Sequence, residues 1–212
     1  MPIKLGSLSI VPKGVCAAYV GRNAVFLGVP SGYKKLIGLT FSSATWYRLR
    51  GVHLNGSDTV RISFSAKKAC NVFGSYTSAS AQTNYSLYVS TSSGSKYLRY
   101  NGDTYSSYLS SSNLNKRLDV VITPTGSHGL PQTESWEAKS FEGEADLCIG
   151  LTGPEVTSTQ FNGNIYGDII VDGRLKLIPC ERLSDNELGY WEAYSGIFYE
   201  PIGNSPDSLG YA

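Results

Sequence analysis

Glycoside cleavage needs two carboxyl groups flanking one bond, and on a strand only residues i, i+2 and i+4 share a face. The nearest such set in this chain is Glu142, Glu144 and Asp146, in the run F-E-G-E-A-D. Gly143 lies inside that run and the surroundings are loop-like, so the set reads as a solvated acidic loop. A serine or cysteine nucleophile needs a base and a group to orient it. His53 and His128 are the only histidines. His53 sits between Val52 and Leu54 near a turn, and His128 lies in the loop S-H-G-L-P. Spacing places no acid to orient either, and both read as ordinary surface histidines. No catalytic residue is expected.

Four cysteines stand at 16, 70, 148 and 180. None makes a C-x-x-C pair, so a zinc knuckle is not expected. Cys70, Cys148 and Cys180 lie beside aliphatic residues and read as small buried hydrophobes. No metal or other cofactor is implied.

Tyrosine is the more informative residue. Tyr76, Tyr85, Tyr88, Tyr97, Tyr100, Tyr105 and Tyr108 crowd one third of the chain. Aromatic faces stack on sugar rings, and Tyr offers a large contact area at low entropic cost. The same residues also fill sandwich cores and cross-strand pairs. Tyr85, Tyr88, Tyr97 and Tyr100 sit in strand-like runs and are expected to pack inward. Tyr76, Tyr105 and Tyr108 lie in polar, loop-like surroundings and are the candidate ligand-binding residues.

The elements that must hold these residues are strands. Charged residues make up 17% of the chain, below the ~25% of average domains. Ser, Thr, Asn, Gly and Tyr fill the deficit, which favours turns and strands over helices. Val60, Ile62 and Phe64 alternate with Arg61 and Ser63, the period of a strand with one buried face. Further strands are expected at 39–41, 46–49, 72–74, 85–89, 97–100, 118–122, 147–151 and 165–171. Asn55-Gly56, Asn101-Gly102 and Asp172-Gly173 are turn dipeptides. Asp172-Gly173 is the strongest hairpin, with I-I-V before it and L-K-L-I after. Residues 181–188 are the one place for a helical turn, capped by Ser184 or Asp185. Trp191, in G-Y-W-E, is expected in the core.

Residues 1–35 carry a weak repeat of short apolar strands ended by Gly and a polar residue: I-K-L-G-S, A-Y-V-G-R and F-L-G. They are either the first strands of the main domain or a separate attachment arm. Thirty-five residues bury too little to fold alone. The formal net charge is +1, so no nucleic-acid footprint is visible. No apolar run approaches the ~20 residues of a membrane helix. The N-terminus lacks a signal-peptide pattern, so Sec export and membrane insertion are not expected.

Residues 175–199, L-K-L-I-P-C-E-R-L-S-D-N-E-L-G-Y-W-E-A-Y-S-G-I-F-Y, resemble the closing segment of laminin-G/concanavalin A-like jelly rolls carried by structural proteins of phages, especially those of gut bacteria. V-R-I-S-F, V-F-G, Y-S-L-Y-V and Y-L-R-Y follow in the laminin-G order, and F-N-G-N-I-Y (161–166) resembles the family's F-x-G-x-I-Y strand. The likeness spans residues 39–203.

It implies an all-β, two-sheet antiparallel jelly-roll sandwich over 36–212, preceded by a small N-terminal β arm over 1–35. It implies a non-enzymatic virion structural protein, a head-fibre, tail or decoration component, assembled in the host bacterial cytoplasm, where cysteines stay thiols. The arm would join other virion proteins and build a homo-oligomer, a trimer by analogy with fibre proteins. The jelly roll would bind host-surface glycan. Some laminin-G modules hold calcium at loop edges, for which Asp58, Asp103, Asp168, Asp172 and Asp185 are the available donors. None forms a D-x-D-x-D loop.

Two alternatives stand beside this reading. One is a glycoside hydrolase or lyase of the same fold. Those enzymes use E-x-D-x-E or E-x-D-x-x-E, whereas this chain has E-x-E-x-D. The other is a cellular laminin-G-type carbohydrate-binding protein, against which the missing signal pattern counts. Two departures from the family pattern are the long acidic segment 126–146, a potential binding loop, and an ending with Pro201 and Pro206 that puts a final strand in doubt.

Overall fold

The computed structural model describes residues 3–5, 8–10, 17–20, 23–77, 83–154 and 159–212, with side chains described from Gly28 onward. Every regular element among them is a strand. A small antiparallel sheet holds β1 (Ile3–Leu5), β2 (Leu8–Ile10), β3 (Ala17–Val20) and β4 (Asn23–Leu27), in that order. Leu5 pairs with Leu8 across β1 and β2, and Val20 with Asn23 across β3 and β4.

The rest of the chain forms two larger antiparallel sheets. Its strands begin with β5 (Tyr33–Lys35), β6 (Gly38–Phe41), β7 (Thr45–Leu49), β8 (Val60–Ala66), β9 (Cys70–Ser75) and β10 (Tyr85–Val89). Then come β11 (Lys96–Tyr100), β12 (Asp103–Ser106), β13 (Leu118–Thr123), β14 (Gly126–His128), β15 (Glu134–Ser135) and β16 (Leu147–Ile149). β17 (Gly163–Val171), β18 (Leu175–Arg182), β19 (Glu187–Glu192), β20 (Ile197–Tyr199), β21 (Ile202–Gly203) and β22 (Asp207–Ser208) complete it. One sheet has seven strands in the order β12-β11-β10-β9-β16-β7-β21. The other has eleven, with the path β15-β14-β13-β8-β17-β18-β19-β20 and β5, β6 and β22 as branches.

The branch arises on β17. Its residues 163–166 pair with β6, and its residues 169–171 pair with β18, while β8 runs along the opposite edge. The register on β8 slips between Tyr166 and Ile170. Gly167 takes φ +62 in this bulge, and its N–H reaches Ile37 O at 2.7 Å. Asp168, also in the bulge, lies 3.3 Å from both Lys35 Nζ and Lys176 Nζ, tying β5, β17 and β18 together.

One core fills the space between the sheets. Its largest fully buried side chains include Phe41, Tyr47, Phe64, Phe73, Tyr85, Tyr100, Phe161 and Tyr190. Tyr47 of the seven-stranded sheet meets Tyr190 of the larger sheet edge-on at 5.0 Å, a geometry the ring quadrupoles favour. Buried phenols need partners. Tyr85 donates to the carbonyls of Asp58 and Ile122, and Tyr100 donates to that of Gly56 at 2.7 Å. Trp191 is buried as expected, in a satellite cluster where the Tyr33 ring lies 4.9 Å from that of Trp191 and 5.3 Å from that of Phe198.

The hairpin at Asp172-Gly173 forms with Val171 opposite Leu175. Asn101 (φ +53) and Gly102 (φ +81) make the two-residue turn between β11 and β12, the positive-φ pair of a type I′ hairpin.

Three expectations are corrected. Residues 181–188 form no helix: Arg182 pairs with Glu187 across a β-hairpin, and the Asn186 N–H reaches Arg182 O at 2.8 Å in a single turn that does not continue. The C-terminal segment does hold strands: β21 adds to β7 and β22 to β6, so it joins both sheets. Residues 126–146 are not a free loop. Trp136 and Phe141 pack on Tyr100 at 5.3 and 5.4 Å, and Phe141 O accepts the Gly56 N–H at 3.0 Å. Within the range assigned to the arm, Tyr33–Lys35 is a strand of the eleven-stranded sheet, paired with β18.

Candidate functional site

The parity of β10 and β11 builds the site. Tyr85, Leu87 and Val89 point into the core, as do Leu98 and Tyr100. Alternation then sends Ser86, Tyr88, Tyr97 and Arg99 to the opposite face. On β9 a register shift brings Asn71 opposite Tyr88. These side chains, with Tyr76, Thr152 and Thr159, line a cleft of about 270 Å³ on the outer face of the seven-stranded sheet.

The floor is small and polar. Asn71, Ser86 and Thr152 are buried there, and Thr152 Oγ1 donates to Asn71 Oδ1 at 3.4 Å. Gly74, opposite Ser86, makes room: a Cβ at this position would clash with Ser86 and lie 2.6 Å from Thr152 O. The walls are aromatic. Tyr88 and Tyr97 meet edge to face at 5.1 Å, with Tyr97 43% exposed. The Arg99 guanidinium lies over the Tyr76 ring, 4.4 Å from its centroid. Burial, with Cys70 and Tyr97 nearby, pushes the Tyr88 phenol above its ordinary range, so it stays a neutral hydroxyl.

Tyr76 also lines a second cleft of about 260 Å³ with Arg48, Thr77, Glu144, Asp146 and Pro154. It is therefore the ridge between two depressions that run from β11 toward β7. Asp146 is held by Arg48 Nε at 2.7 Å, the Gly51 N–H at 2.8 Å and His53 Nε2 at 3.5 Å. Partial burial raises its pKa, but the Gly51 amide and Arg48 outweigh that and hold the carboxyl below its ordinary range.

Of the residues the sequence singled out, only Tyr76 lines the Tyr88–Tyr97 cleft. Tyr105 stacks on Trp136 at 4.4 Å and packs against the core. Tyr108 is half-buried, and its backbone bridges to Ser90. Neither Tyr105 nor Tyr108 lines that cleft. Tyr88 and Tyr97, expected inside, face out, and the parity of Leu87, Val89 and Leu98 carries the signal that places them.

The acidic triplet is divided: Glu142 lines a cleft with Asn55, Pro124 and Lys139, apart from Glu144 and Asp146. Four of the aspartates weighed for calcium hold cations instead: Asp58 with Arg174, Asp168 with Lys35 and Lys176, Asp172 with Arg61, and Asp185 with Arg182. Among the described residues, no three His, Cys, Asp or Glu side chains gather into a potential metal site.

A wider cleft of about 410 Å³ lies beneath the β19–β20 turn. Glu192 and Arg174 in its lining are committed to structure. The Glu192 carboxylate accepts the N–H groups of Lys176, Tyr194 and Ser195. Arg174 binds Asp58 through two contacts, at 2.9 and 2.8 Å, and donates to His53 O.

The Tyr88–Tyr97 cleft offers aromatic faces above hydroxyl and amide groups. Its described lining includes no carboxylate, imidazole or thiol. This chemistry suits contact with a ring that has one apolar face and a polar rim. No family model matches the chain, and neither a curated protein nor a solved structure matches it.

Proposed function

We propose that this chain is a non-enzymatic glycan-adhesion protein of a phage particle, with its sugar site in the cleft walled by Tyr76, Tyr88 and Tyr97. The observation that carries the reading is that cleft: outward-facing tyrosines over the Asn71–Ser86–Thr152 floor. Sugar hydroxyls exchange water for protein hydrogen bonds at little net gain. Affinity per site is therefore weak, around the millimolar scale that corresponds to ~4 kcal/mol. Many copies on one particle supply the attachment strength.

The virion setting is supported by the likeness of residues 161–166 and 175–199 to phage jelly rolls. In this reading the two sheets are joined as a jelly roll and the protein is a head-fibre, tail or decoration component. It is assembled in the host bacterial cytoplasm, and the N-terminal strands join other virion proteins and a trimer of the chain. Short strands with unpaired edges suit that role.

A glycan array probed with multivalently displayed protein tests the site. Binding is expected for the wild type and loss for Tyr97→Ala. Tyr105→Ala and Tyr108→Ala should bind as the wild type does. No binding by the wild type, or equal binding by Tyr97→Ala, overturns the reading. Trimming of array glycans by the protein would instead favour the hydrolase or lyase alternative.

A further inference from the structure

Among the described residues lining the cleft, Arg99 carries the one formal charge. Arg99 sits on β11, two residues from Tyr97 on the same face, so their Cα atoms are roughly 6.6 Å apart. That is about the span of one pyranose ring and its substituent. The remaining lining residues, Asn71, Ser86, Thr152 and Thr159 with the three tyrosines, are uncharged. Arg48, Arg61, Arg117, Arg174 and Arg182 each hold an acid. Arg99 has no ion pair among the described residues; its partner is the face of Tyr76. Stacking on a ring uses the flat side of a guanidinium and leaves its N–H edge free, a planar fork that fits carboxylate or sulfate.

Building on the glycan reading above, we propose that the cleft selects acidic sugars. A ring stacked on Tyr97 would carry its carboxylate or sulfate to the N–H edge of Arg99. Partial shielding of that guanidinium by Tyr76 strengthens the attraction relative to open water.

The test uses full-length protein and calorimetric or NMR titration. The probes are tetrasaccharides of galacturonic, glucuronic and mannuronic acid, each as the free carboxylate and as the neutral methyl ester, with sulfated neutral tetrasaccharides as a further arm. For at least one backbone the acidic form should bind at least fivefold tighter than its ester, and the advantage should shrink as salt rises from about 50 to 500 mM. Arg99→Gln should erase the advantage, so that acid and ester then bind that variant equally. Arg99→Lys, which keeps charge and stem, should retain part of it. Preference for the sulfated arm alone assigns the anion as sulfate; preference for the uronates alone assigns it as carboxylate. Equal binding of acid and ester, or an acid preference that survives Arg99→Gln, overturns the proposal but leaves the glycan site standing. No binding of any probe by the wild type overturns the proposal, and the glycan reading falls only if the array is blank as well.

Discussion

Cys70, Cys148 and Cys180 are buried free thiols. Burial pushes Cys70 up to about 11 and Cys148 and Cys180 up to about 12. Thiolate is the reactive form, so on a Cys16→Ser background none of the three should react with a thiol reagent at pH 8 until denaturant is added. Reaction of even one in native protein would mean that its strand opens. These cysteines were legible because each lies in an aliphatic run. The cleft was half legible. Tyr88 and Tyr97 follow from the parity of Leu87 and Leu98, one residue out of phase with the core. Asn71 and Thr152 come from distant segments, and only the pairing of β9 with β10 and β16 brings them beneath the tyrosines. Nothing in local pattern carries that information.

Among the elements, β9 decides the shape of the cleft. Gly74 lets the chain after β16 settle on the sheet, so Gly74→Ala must displace Ser86 or Thr152. Overpacking of this kind costs ~1–3 kcal/mol. The variant should fold, melt lower and lose glycan binding; unchanged melting and binding would mean that the floor yields freely. Period-two alternation made most ladders readable, β8 above all, and positive-φ turn residues marked two hairpins. The fork of β17 was not readable, because the bulge around Gly167 shifts register inside a run that looks continuous. Residues 183–186 looked like a helix cap because Asp185 suits that role. In the fold Asp185 accepts the Glu187 N–H at 3.2 Å and binds Arg182 at 2.6 Å, but strands rather than a helix flank it.

At the scale of the whole molecule, stability should depend on pH from both sides. Arg182 lowers the pKa of Asp185, and the Ser63 hydroxyl and Arg117 lower that of Asp119; Asp146 is lowered by Gly51 and Arg48 against its own burial. Carboxyls with depressed folded pKa values contribute stability above the unfolded value near 3.9 and lose it as pH falls through the folded value. Burial raises Tyr47, Tyr85 and Tyr190. Their contribution is complete below the unfolded value near 10 and is lost as pH rises beyond it. The melting temperature should therefore fall below about pH 4 and above about pH 10; a flat profile to pH 2 would contradict this. Sheet membership also locates the useful truncation. Residues 28–212 keep β5 and should melt cooperatively, whereas 36–212 loses Tyr33 from the Trp191 cluster and should melt lower. Equal melting of the two would show that β5 contributes nothing. A sugar site on the outer face of the seven-stranded sheet can be located by ¹⁵N-resolved NMR titration with a glycan that the array identifies. Shifts should concentrate at the amides of Tyr76, Ser86, Tyr88, Tyr97 and Arg99. Shifts centred instead on Arg174, Glu192 and Tyr194, or around Tyr108, would contradict it.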